Sequence, residues 1–141
     1  MGFRRKARES ALQMLFQRDF TNDDPAKIER AYFAAVGKVP DVAREYAERL
    51  FEGTVEHLDS IDPMIKTHAE NWRLERMARV DRSVLRLAVY ELLYQAETPA
   101  KVVINEACEI ARKFAGDDSV PFVNGVLDGV RRAIEVAPRP V

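Results

Sequence analysis

Four cations stand within five positions near the start of the chain: Arg4, Arg5, Lys6 and Arg8. Binding phosphate is the chemistry such a cluster can do. The cations lead into an amphipathic stretch, SALQMLFQRDF, and so occupy the first turns of an expected helix. A helix start carries partial positive charge and favours Asp and Glu there, by about 0.3–1 kcal/mol per charge. A polyanion would offset that clash, and nucleic acid is a polyanion that Lys and Arg neutralise. On a helical wheel Arg4, Arg5 and Arg8 share the sector of Ala11, Leu12, Leu15 and Phe16, whereas Lys6 and Gln13 point elsewhere. A structural reading stands beside the phosphate reading. Arg8 can pair with a buried carboxylate at a core edge, and Arg4, Arg5 and Lys6 can form a solvated end.

Two further stretches carry polar groups suited to recognition. DDSVPFVNG, from position 117, reads as a helix start. Free backbone N–H groups there can receive a phosphate. Ser119 adds a hydroxyl, and Phe122 offers a face for stacking a base, worth ~1–3 kcal/mol. The alternatives are that Ser119 or Asp118 is only the cap and Phe122 belongs to the core. Gly125, inside that helix at a cost of about 1 kcal/mol, is expected to admit a neighbouring helix closely. Asp81 is a candidate N-cap, worth about 1 kcal/mol. Arginines at 73, 76, 79, 82 and 86 read mainly as a solvated face or as intramolecular ion pairs, and Trp72 as a loop anchor.

Signals for catalysis are absent. His57 and His68 are eleven residues apart, without the ligand spacing of a zinc site. Cys108 lies in an apolar helical pattern with no nearby His to activate it, and there is no glycine-rich phosphate loop. The expectation is a non-enzyme with no metal and no cofactor.

Composition bounds the rest. The chain has 141 residues, of which 47% are hydrophobic and 32% charged. That suits one globular domain with a real core. The net charge is −1, yet residues 1–10 sum to +3 and leave −4 for the remainder. Such asymmetry points to a local anion-binding patch rather than a general polycation. One cysteine fits a reducing compartment. Gln13, Gln17, Arg18 and Asp19 interrupt any signal-like apolar run, and Glu9 and Asp19 argue against a transit peptide. No stretch approaches the ~20 apolar residues that span a bilayer. A cytoplasmic protein with no membrane partner is expected.

The elements that must position these residues all read as helices. TNDDP (21–25) is a turn, with Pro25 opening a second helix that ends near Gly37. A third runs from about Val42 to Leu58. It breaks at DSIDP, where Asp62 caps and Pro63 opens a short helix reaching about Glu70. NWRLERM (71–77) is a loop or an irregular turn. The helix from Asp81 to about residue 94 is apolar nearly all round, which marks it as a buried central post. Thr98 caps and Pro99 opens the next, which Gly116 closes after Phe114. The last helix carries Val123, Val126, Leu127, Val130 and Ile134. The fold class is all-α, a compact bundle of about seven helices.

VDRSVLRLAVYELLY (80–94), KVVINEACEIARKF (101–114) and DDSVPFVNGVLDGV (117–130), together with RRKARESALQMLF near the start, resemble the NusB family of bacterial transcription antitermination factors. The likeness covers about 130 of the 141 residues, in the family's order and spacing. Over residues 20–70 it rests on helical pattern alone. It implies two helical subdomains, residues 1–70 and 71–136, followed by a disordered tail at 137–141. It also implies binding of boxA RNA from ribosomal RNA transcripts together with NusE, a small-subunit ribosomal protein, within an antitermination complex on RNA polymerase. By the resemblance, Arg4, Arg5, Lys6 and Arg8 contact RNA, and the helix start with Ser119 and Phe122 does so beside them. Position 121 is Pro, where family members often carry a cation. Asp81 and Glu75 match acids that touch NusE, and Phe16 matches an aromatic position near both surfaces. Two other readings stay open. One is the NusB-like module of an rRNA cytosine methyltransferase, disfavoured by the lack of a cofactor domain before Val141. The other is a helical adaptor that binds only protein.

Overall fold

The computed structural model describes residues 2–69 and 74–136. These residues form seven α-helices and no strand: α1 (Gly2–Thr21), α2 (Pro25–Val36), α3 (Asp41–Glu56), α4 (Leu58–His68), α5 (Arg79–Tyr94), α6 (Ala100–Phe114) and α7 (Ser119–Val136). A single 3-10 turn, Leu74–Arg76, precedes α5. The fold is all-α, as the helical periodicity predicts. The expectations for Glu70, Asn71, Trp72, Arg73 and the tail at 137–141 lie outside the described residues.

Turn chemistry explains several boundaries. Asp24 caps α2 by accepting the Ala26 N–H at 3.2 Å, and Pro25 follows as the first helical residue. Gly37 then leaves the helix at φ +85°, and Gly116 leaves α6 at φ +116°. Both lie in the region that a Cβ disfavours.

Four local expectations give way to packing. The chain breaks between α3 and α4 at His57 rather than at DSIDP. The His57 N–H is shared between the carbonyls of Gly53 and Thr54, and its Nδ1 lies 2.8 Å from the Gly53 carbonyl oxygen. Pro63 therefore sits inside α4, where a missing N–H and ring clash cost about 3 kcal/mol. The adjoining side chains offset this. Ile61 and Ile65 are fully buried, and Asp62, instead of capping, accepts two bonds from Arg86 at 2.9 and 3.0 Å. The helix α5 starts at Arg79, with Ala78 in the cap position. Asp81 is thus not the cap but a first-turn acid facing the helix dipole. Pro99, with ψ 141°, is itself the cap residue of α6, so Thr98 lies one position too early to cap. Gly125 meets no side chain. The close approaches are instead at Gly53, where an added Cβ would overlap the Tyr90 ring, and at Gly129, where it would lie 2.8 Å from His68 Cδ2.

The helix α5 is the central post. It contacts α1, α3, α4, α6 and α7, and Val84, Leu85, Leu87, Ala88, Val89, Leu92 and Leu93 are all buried in the core. Arg82 and Arg86 tie its outer face down. Arg82 donates to Asp19 at 3.1 Å and to the Leu74 carbonyl at 3.2 Å. Arg86 bridges Asp19 and Asp62. The expectation of intramolecular ion pairs holds for these two arginines.

On the far side of the bundle Glu29 of α2 is buried, and its Oε2 has no hydrogen-bond partner. Burial, then a hydrogen bond with Glu52 and the charges of Glu52 and Glu48, pushes its carboxyl up to about 8. Arg44 opposes part of that shift.

Candidate nucleic-acid interface

The helix α1 puts its four cations into four different settings. Arg8 points inward and is 4% exposed. Its Nε and Nη2 each donate to Glu91 of α5 at 2.9 Å, one to each carboxylate oxygen. Burial pushes the guanidinium pKa down, but the Glu91 hydrogen bonds and charge more than offset it, and the net direction is upward. Arg8 is the core-edge pair foreseen as the alternative. Arg5 turns to α6, where its Nη2 donates to Glu106 Oε2 at 2.7 Å. That bond, more than the accompanying charge, holds the Glu106 carboxyl below its ordinary range. Arg4 turns to α3 and lies over the Phe3 and Tyr46 rings. Lys6 is exposed and has no ion-pair partner among the described residues.

Part of the conflict with the helix dipole is therefore resolved inside the molecule, by Glu91 and Glu106. Sequence reading missed both. Glu91 left a signal, since a lone acid in a helix apolar all round must bury its charge and needs a partner. Arg4 and Lys6 have no carboxylate partner among the described residues. Arg4 lines a groove of about 510 Å³ with Gly2, Arg5, Arg8, Val102 and Glu106.

Ser119 and Phe122 lie elsewhere. They line a second groove, of about 380 Å³, with Met77, Ala78, Asp81 and Asp118. The first groove meets α6 at Val102 and Glu106, and the second lies past the end of α6, at the start of α7. Glu106 stands eight residues before Phe114 at the end of α6, on the order of 12 Å at 1.5 Å each. Pro121 takes the third position of α7, within its first turn.

Asp81 shares this second groove, and its Oδ1 is buried without a hydrogen-bond partner among the described residues. Glu75 is exposed on the 3-10 turn just before α5. Phe16 lines a neighbouring apolar groove of about 350 Å³ with Leu12, Tyr32, Val80 and Phe114. Its ring meets Phe20 edge-on at 5.1 Å, and the Arg79 guanidinium covers Phe20 at 4.2 Å. Phe20 is 62% exposed and was not singled out from sequence, because an apolar residue at a helix end has no distinguishing pattern. Asp81, Glu75 and Phe16 therefore gather around the start of α5, together with Ser119 and Phe122.

Among the described residues no cluster of His, Cys, Asp and Glu could hold a metal ion. No helix there is long and apolar enough to cross a membrane. Burial raises the pKa of the Cys108 thiol, which disfavours the reactive thiolate.

Comparison with known proteins places the chain among relatives. The NusB family model matches residues 5–132. The transcription antitermination protein NusB of Koribacter versatilis is 46% identical over 134 residues, 95% of this chain and 92% of the relative. That of Solibacter usitatus is 49% identical over 133 residues, 94% and 90% of the two chains. A structure of T. maritima NusB superposes with TM-score 0.81 at 38% identity, covering 92% of this chain and 90% of that one. A structure of the antitermination factors NusB and NusE in complex with dsRNA superposes with TM-score 0.86 at 28% identity, covering 94% and 98%.

Proposed function

Since this chain belongs to the NusB family, we propose that it acts as a transcription antitermination factor. It binds boxA-type single-stranded RNA of ribosomal RNA transcripts together with NusE, in the cytoplasm, as part of an antitermination complex on RNA polymerase. The observation that carries this reading is the pair of cations, Arg4 and Lys6, which have no carboxylate partner among the described residues at the positive end of α1. The protein works by binding and not by catalysis. Arg4 and Lys6 hold phosphates, Arg5 joins them when it releases Glu106, and Arg8 positions the helix end by anchoring it to α5. Ser119 and Phe122 meet the strand where it passes the α7 start, and Asp81, Glu75 and Phe16 face NusE.

The salt dependence of RNA binding tests the electrostatic part. Each phosphate neutralised on a single strand contributes about 0.7 to the slope of log K against log salt. Replacing Arg4 and Lys6 together with Gln is expected to flatten the slope by about 1.4. It should weaken binding to boxA-type and unrelated RNA alike, because phosphate contacts carry no sequence information. Adding Arg5→Gln brings the change to about 2 only if Arg5 exchanges Glu106 for phosphate. A folded double variant with wild-type slope and affinity would overturn the assignment. It would favour the second reading, a protein-only adaptor, which the internal pairing of Arg5 and Arg8 supports.

Asp81→Lys tests the partner surface. A basic ribosomal protein is repelled by a new cation in the groove that Asp81 lines, so the one-to-one NusE complex is expected to weaken about tenfold or more. RNA binding by the isolated protein should change less. Because Asp81 is not the cap of α5, the variant loses only a dipole contribution of about 0.3–1 kcal/mol. Calorimetric titration with NusE and with RNA measures both. Unchanged NusE affinity moves the interface elsewhere.

A further inference from the structure

The first turn of α1 carries an aromatic feature on its α3 side, joined through Arg4 to the groove shared with α6. Phe3 is 43% exposed. Its ring meets Tyr46 edge-on, with centroids 6.2 Å apart and planes at 78°. The Arg4 guanidinium lies 5.7 Å from the Phe3 centroid and 5.9 Å from that of Tyr46. Arg49, from the middle of α3, lies 5.3 Å from the Tyr46 centroid. Among the described residues neither guanidinium pairs with a carboxylate. For Arg49 this is informative. Glu45 stands four residues before it and Glu52 three after, the spacing at which helical ion pairs form, yet Arg49 turns to the ring.

We propose that Phe3 is a base-stacking face of the RNA surface, flanked by Arg4 and Arg49 as phosphate ligands, so that the strand continues across the start of α1 onto α3. This rests on the RNA-binding reading above. Tyr46 is buried and braces the Phe3 ring from one edge, which leaves Phe3 as the exposed ring of the pair. An exposed ring between two unpaired arginines combines what single-strand binding uses: a π-face for a base and cations for the backbone on either side. The acids of α3 set the border of the surface. Glu48 is held by Arg44 at 3.2 Å, and Glu52 is engaged with Glu29 toward α2. Of the acids nearest Tyr46 and Arg49, Glu45 remains as the repulsive edge, so the strand crosses α3 at Tyr46 and Arg49 rather than following its axis.

Fluorescence anisotropy with a labelled boxA-type single-stranded RNA, across a salt series, tests this. Phe3→Leu keeps an apolar contact for Tyr46 and removes the flat face. Binding is expected to weaken about tenfold with the slope unchanged, since stacking releases no counterions. Phe3→Trp should bind at least as tightly as the natural chain. Arg49→Gln, at an exposed helix position, should flatten the slope by about 0.7. Thermal melts of all three exclude misfolding as the cause. If the natural protein binds this RNA and folded Phe3→Leu binds it equally well, the stacking face is wrong while the RNA reading stands. Phe3 would then face a protein instead. If Arg49→Gln keeps the natural slope, the strand does not reach α3. Failure of the natural protein to bind would overturn the RNA reading itself.

Discussion

Glu91→Ala is expected to destabilise the protein by about 3–5 kcal/mol, the usual cost of leaving a buried charge without its partner. The Arg8–Glu91 pair is bidentate, with 5% and 2% of the two side chains exposed. Small domains are stable by only about 5–15 kcal/mol, so the loss is a large share of the whole. The effect should be specific to breaking the pair. Arg8→Met combined with Glu91→Leu replaces both charges by apolar groups of similar length, and such exchanges are often neutral or better. Urea unfolding of the two variants and of the natural chain makes the comparison. A loss below about 1 kcal/mol for Glu91→Ala would mean that water reaches Arg8, contrary to its burial. RNA binding gives a second readout. Arg8 lies one turn after Arg4, so the double variant, if folded, shows whether the anchor serves only to hold Arg4 and Lys6 in place.

What the sequence made legible follows from where its physics is local. The apolar circuit from Val84 to Leu93 pointed to a buried α5, and burial is what a helix apolar all round requires. The Asp24–Pro25 and Gly37 signals marked the ends of α2 because caps and left-handed turns depend on adjacent residues. Pro63 misled for the opposite reason. Its local cost is real, but Ile61, Ile65 and the Asp62–Arg86 bond hold it in mid-helix, and none of these partners is local. The same distance hid the fates of the cations. Arg5 and Arg8 find their carboxylates 101 and 83 residues away, so sequence alone left a phosphate and a buried acid both open for Arg8, and for Arg5 only a phosphate or a solvated end.

Glu29→Gln should change stability in a way that depends on pH. The carboxyl lies buried against Glu52 and Glu48, one oxygen lacks a partner, and its pKa is pushed up to about 8. In the unfolded chain it titrates near the ordinary value of 4.5. Below that value both states are protonated, and the site carries no penalty. As pH rises from there toward 8, the folded protein holds a proton that the unfolded chain has already released. Stability therefore falls with rising pH across this window, by up to about 1.4 kcal/mol per unit. Gln mimics the protonated acid at every pH. The variant should match the natural chain near pH 4.5 and exceed it by about 2–4 kcal/mol at pH 8. Glu52→Gln should act on the same window from the other side, since removing that neighbour withdraws a charge that raises Glu29, and the pH at which stability levels off should drop. Urea midpoints measured from pH 4.5 to 9 for the three proteins read this directly. Parallel profiles for Glu29→Gln and the natural chain would show that Glu29 is ionised in the fold throughout, and its orphaned oxygen would then have to be satisfied by water reaching between α2 and α3.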